Sequence, residues 1–156
     1  MPELIRLDEA LEDIIDAVVD VLQKEVKEEG DLEGVETIVR GDRTRPAPRP
    51  PTIWVRCLDA IPNHERRSYA EMWALDVLLI AVVKSDDPEE GYRKATALAA
   101  RARSVVLKDR SLGLRGFVQD VRSGRFEPSG PDLQNDTLIA ASAVVQVHFT
   151  ILETNP

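Results

Sequence analysis

Apolar residues recur at three- and four-residue steps near the start of the chain. Leu7, Leu11, Ile14, Ile15, Val18, Leu22 and Val26 fall on one side of a 3.6-residue wheel, which predicts an amphipathic helix over 7–28. Asp8, Glu9, Glu12 and Asp13 occupy its first turns, where the helix dipole favours negative charge. Lys24 and Lys27 come late, where it favours positive charge, and Gly30 closes the pattern.

Two short β-rich runs follow, over 35–40 and 52–58. Between them lies a loop at 41–51 with four prolines within six residues, Pro46 to Pro51. Proline lacks the amide that a helix or a central strand requires, so an extended, polyproline-like connection is expected. Pro62 and the polar run 63–68 predict a turn.

Residues 69–84 alternate, with Leu75, Val77, Leu79, Ala81 and Val83 on one side and Ala74, Asp76, Leu78, Ile80 and Val82 on the other. From Leu75 onward both sides are largely apolar, which predicts a central strand covered on both faces. Its β-branched content argues against a buried helix.

Ser85-Asp86-Asp87-Pro88 is a helix-start signature. The helix it opens runs to about Lys108, with Ala95, Leu98, Ala99, Ala102, Val105 and Val106 as its apolar stripe. So many alanines allow it to lie close to a sheet. Gly113 fits a left-handed turn after the helix. Residues 115–126 read as a strand with glycine interruptions, followed by a polar loop carrying Pro128, Gly130 and Pro131. Residues 137–152 have a clean period of two, with Ile139, Ala141, Ala143, Val145, Val147, Phe149 and Ile151 on one side. Ser142, Gln146, His148 and Thr150 take the other. The order α-β-β-β-α-β-β predicts a single α+β domain over 1–156: a twisted antiparallel or mixed sheet with two helices packed on it.

Composition agrees with one packed domain. The chain has 156 residues, 43% of them apolar, which excludes disorder throughout. Its net charge of −8 opposes general affinity for nucleic acid. The charge is segregated: residues 1–34 hold twelve acids against three bases, whereas 40–67 hold seven arginines against three acids. The single cysteine, Cys57, allows no intrachain disulfide. No signal pattern opens the chain, and the longest apolar stretch is well short of a membrane span, so a soluble protein of a reducing cytoplasm is expected.

Candidate chemistry is sparse. His64, His148 and Cys57 lack the spacing of metal ligands, and no catalytic, metal or cofactor site is predicted. Cys57 follows Arg56, a neighbour that would lower a thiol pKa, yet a small core residue is the simpler assignment. No nucleophile elbow or phosphate loop is present. Asp76 interrupts an apolar strand, and is expected either to pair with an arginine or to mark a contact with a neighbour. The arginines around the proline loop, Arg40, Arg43, Arg45, Arg49 and Arg56, form a candidate protein-docking arm, because prolines reduce the entropy lost on binding and arginine is favoured at interfaces. A stiff solvated loop and a phosphate-binding arm are the alternatives.

Taken together, these parts resemble the tail terminator (tail completion) proteins of long-tailed bacteriophages. The resemblance rests on the helix at 7–28, the arginine- and proline-bearing strand–loop–strand at 35–58 and the long strand at 69–84. It extends through the run Ala95-Thr96-Ala97-Leu98-Ala99-Ala100-Arg101-Ala102-Arg103-Ser104-Val105-Val106-Leu107, Leu112-Gly113, the strand from Gly116 to Val121, and the last strand ending Val147-His148-Phe149-Thr150-Ile151-Leu152-Glu153. It implies a structural virion protein, not an enzyme. Such a protein forms a homo-oligomeric ring, expected to be hexameric, at the head-proximal end of the tail tube. The ring ends polymerisation of the tube protein and meets the head–tail connector, while DNA passes through the lumen without specific binding. Assembly takes place in the host cytoplasm, with no membrane partner. Another neck or head-completion protein is the nearest alternative; a small enzyme or ligand-binding domain using Asp76, Cys57 or His148 is a more distant one.

Overall fold

A computed structural model describes residues 6–41, 49–62, 70–114, 116–131 and 138–152. Helix α1 spans Leu7–Lys24, strand β1 Thr37–Arg40, β2 Thr52–Pro62, β3 Ala70–Lys84, helix α2 Pro88–Leu107, β4 Val118–Pro131 and β5 Leu138–Leu152. This is the expected α+β order. One five-stranded mixed sheet runs β1-β2-β3-β5-β4.

The helix expected over 7–28 ends earlier, at Lys24. Residues 25–34 wind into turns instead, and the Leu32 amide bonds back to the Glu25 carbonyl. Those turns bring Leu32, fully buried, and Val35 down onto the core. Burying Leu32 in this way removes apolar surface that two more helical turns would leave in water.

β1 and β2 are parallel, with Thr37 opposite Thr52, and the other pairings are antiparallel. β3 and β5 form the long centre, paired from Ala70↔Leu152 to Lys84↔Leu138. β2 runs past the expected end to Pro62, which lies opposite Trp73. β4 likewise extends through Pro128, Gly130 and Pro131, which had the look of a loop. Those prolines fit because β4 is an edge strand, where an amide is needed on one side only. Its ladder with β5 is interrupted by three register shifts.

α2 begins at Asp87, whose carboxylate accepts from the Glu89 amide at 3.1 Å, with Pro88 in the first turn. Its stripe of Ala95, Leu98, Ala99, Ala102, Val105 and Val106 is buried throughout. Gly91 adds something the stripe did not reveal. A Cβ there would run into Ile139 of β5 and come within 2.9 Å of the Ser85 Cβ, so the first turn of α2 lies directly on the sheet. At the other end, Gly113 takes φ +72°, as its position suggested. The Asp109 carboxylate holds that turn through the amides of Ser111 and Gly113.

Both helices lie on the same face of the sheet. Ile14, Val18 and Leu22 of α1 share one core with Ala99, Ala102 and Val106 of α2 and with Leu75, Val77, Leu79, Val145, Val147 and Phe149 of the central strands. Phe117 meets Phe149 edge-on at 6.5 Å. Among the described residues the helices cover one face only. The expectation that β3 is covered on both sides holds toward its Val82 end, where Thr52, Trp54, Val82 and Val144 are buried on the other face. It holds only partly toward Ala74, where that face is half-buried.

Candidate functional site

Alternation places every second residue of each strand on the face away from the helices. Register defines its contents. Thr52, Val82 and Ala140 form one level, Trp54, Ile80, Ser142 and Glu127 the next, and Arg56, Leu78 and Val144 a third. Beyond these the face turns polar. Asp76, Gln146 and Arg122 lie level with one another, followed by Ala74, His148 and Asp120, with Ile61 beside Ala74.

In the apolar half Thr52, Trp54, Val82 and Val144 are buried, while Leu78 and Ile80 are half-buried. In the polar half Met72 and Ala74 are half-buried and Ile61 is 59% exposed. None of Trp54, Val82 and Val144 belongs to the core cluster under the helices.

The polar half is a hydrogen-bonded row. The Gln146 amide donates to Asp76 Oδ1 at 3.3 Å, and its oxygen lies 2.7 Å from His148 Nε2. With the amide turned this way His148 donates through Nε2, leaving Nδ1 as its acceptor. Burial, then Arg122, lowers the His148 pKa, while Asp120 and Asp76 oppose the shift. Arg122 donates to Asp120 at 2.8 Å, and this bond holds the Asp120 carboxyl below its ordinary range. Asp76 therefore bonds an amide, where an arginine had been one expectation.

Cys57 stands apart. It pairs with Val77 and packs against the core under α1, on the opposite face from Asp76 and His148. Arg56, its chain neighbour, points the other way. Burial raises the thiol pKa more than Arg40 lowers it, so the activation that Arg56 suggested is replaced by the behaviour of a small core residue. Among the described residues no three of His, Cys, Asp and Glu converge to hold a metal ion. An open groove lined by Gly30, Asp31, Glu33 and Arg101 includes none of Cys57, Asp76 and His148.

The arginines of the candidate arm separate. Arg40, at the end of β1, pairs with Glu12 and with Asp16 at 2.7 Å, so it ties the edge strand to α1 within the chain. Arg49 is exposed, and its carbonyl accepts from the Thr52 hydroxyl at 3.0 Å. Arg56 lies on the open face opposite Leu78. Arg43 and Arg45, with most of the 41–51 loop, lie outside the described residues, as does His64. The open face itself was only half visible in sequence: the alternation of 69–84 and 137–152 marks its residues, but not which face the helices leave bare.

By its fold the chain is an α+β domain, a mixed sheet with two helices on one face. Comparison with protein-family models and with curated proteins finds no match to it. Among the described residues no helix is long and apolar enough to cross a membrane.

Proposed function

We propose that this chain is a structural subunit of a long-tailed phage virion, a tail terminator that forms a homo-oligomeric ring, most simply a hexamer. The ring caps the tail tube, ends its polymerisation and joins the tail to the head connector. The observation that carries the reading is the open sheet face. It sets Leu78, Ile80, Ala74 and Ile61, all at least partly exposed, beside a hydrogen-bonded polar row, a mixture suited to protein contact. The whole-chain resemblance supplies the kind of assembly. Acid on the outward side of α1, including Asp13 and Asp20, suits a subunit beside DNA that must slide without gripping phosphate.

Light scattering of the chain with and without tail tube protein tests this. The expected result is a ring mass, and a heavier complex when tube ends are present. A strict monomer that ignores tube ends contradicts it. A pull-down that recovers connector protein but not tube protein points instead to another neck component.

A further inference from the structure

We propose that copies of this chain join side by side, the acidic α1 flank of one against the arginine-bearing β4 flank of the next. The proposal rests on the ring reading above and deepens it by naming the two surfaces that meet.

The fold sets two unlike flanks at opposite edges of one sheet. α1 packs on β1 and β2, whereas α2 packs on β3, β5 and β4, and β1 and β4 are the edge strands. Charge follows this division. On α1, Asp8 is answered by Arg6, and Glu12 and Asp16 by Arg40. Glu9, Asp13 and Asp20 are exposed and have no ion partner among the described residues. At about 100° per residue these three lie within about 40° of one another, on the side of α1 away from Ile14, Val18 and Leu22. From Glu9 to Asp20 they extend roughly 16 Å, at about 1.5 Å per residue.

The β4 flank carries the opposite excess. Arg110, Arg122 and Arg125 are exposed and share two acids, Asp120 and Glu127. Arg110 lies 3.9 Å from Asp120, which Arg122 already holds at 2.8 Å. Half-buried Arg103 adds to them. It stands about 200° round α2 from Arg101, which faces the turn of Asp31 and Glu33 that follows α1. Arg103 is therefore on the β4 side, without an ion partner among the described residues. From Asp120 to Arg125 the strand covers roughly 16 Å at about 3.3 Å per residue, as far as the three acids of α1 reach.

The edges decide the kind of contact. β1 has four residues, and β4 carries Pro128 and three register shifts against β5. Neither offers a long, regular row of amides and carbonyls to a neighbouring strand. The joint is one of side-chain charge, not an added ladder. Unlike patches that meet head to tail carry each copy on to a further one, and close a ring when the turn per step allows. Two α1 flanks brought together set like charges side by side, which disfavours a two-fold pair. The same acids cover arginines that would otherwise grip DNA phosphate.

Sedimentation of the full-length chain tests the pairing by charge exchange, with far-UV melting of each variant as the fold control. One variant carries Asp13→Lys and Asp20→Lys, the other Arg110→Glu and Arg125→Glu. All four side chains are exposed, so the core is untouched. Each variant alone is expected to associate about 10-fold more weakly than the wild-type chain. Their equimolar mixture is expected to recover the wild-type mass, because each reversed flank then meets its opposite on the other variant. Wild-type association in both variants, or a mixture that stays dissociated, overturns the assignment, while a wild-type ring that binds tube ends keeps the reading above. Recovery in a mixture that ignores tube ends keeps the assignment and removes the terminator reading. A wild-type chain that is monomeric at every concentration overturns both.

Discussion

The two faces of this sheet are built from the same strands, yet one is buried throughout under the helices and the other only in part. On the helix side of β3, Leu75, Val77, Leu79, Ala81 and Val83 are at most 5% exposed. One residue earlier in each case, Ala74, Asp76, Leu78 and Ile80 are only half-buried, while Val82 is 4% exposed. The helix side contains no ionisable residue in the central strands between Leu75 and Val83, whereas the open side carries Asp76 and, across on β5, Gln146 and His148. A period of two therefore writes two messages along one strand. One specifies how the chain holds itself together. The other is apolar at one end and polar at the other, and only part of it is buried by the chain itself.

The comparison can be broken most forcefully from the helix side. Phe149 is fully buried there and meets Phe117. Phe149→Ala is expected to cost about 3–5 kcal/mol in denaturant unfolding. A loss below about 1 kcal/mol would mean that this side is not the folding core.

Gly91→Val probes how closely α2 lies on that core. The added side chain meets Ile139, 2% exposed, and the Cβ of Ser85, so neither neighbour yields freely. A destabilisation of about 1–3 kcal/mol is expected from the same unfolding measurement. An unchanged midpoint would show that the helix stands further from the sheet.

The open face offers a smaller, pH-dependent effect. The His148 pKa is lowered in the fold from an ordinary 6.5, so the unfolded chain binds its proton more readily. Its contribution to stability is present above pH 6.5 and is lost as pH falls from there toward the lowered value. His148→Gln is expected to flatten the stability profile in that window. A variant with the same acid slope as the wild-type chain would remove His148 as its source.

Much of this contrast was legible in the residues, and the gaps have physical causes. The stripes of both helices and the alternation of the two long strands were visible because each burial face imposes its own period. Which face of the long strands the helices cover is not legible, because an apolar face has the same pattern whether helices cover it or not. β4 was cut short because Pro128 and Pro131 break central strands, while an edge strand accepts them. The intrachain pairing of Arg40 with Glu12 and Asp16 could not be foreseen, because the register that brings β1 beside α1 spans 24 residues or more of sequence. Nor could Gln146 be matched to Asp76 before β3 and β5 were aligned. The role of Gly91 depended in the same way on where α2 meets β5.

One face of the sheet is the folding core, while the other is only partly covered by the chain itself. Leu78 and Leu79 test it most directly, since they are adjacent, identical in type and in the same strand, and point to opposite faces. Urea unfolding of the two alanine variants at low protein concentration is the measurement. Leu79→Ala is expected to lose about 2–5 kcal/mol and Leu78→Ala about 1 kcal/mol. Equal losses would contradict the account, because the open face would then be packed within the chain as firmly as the core.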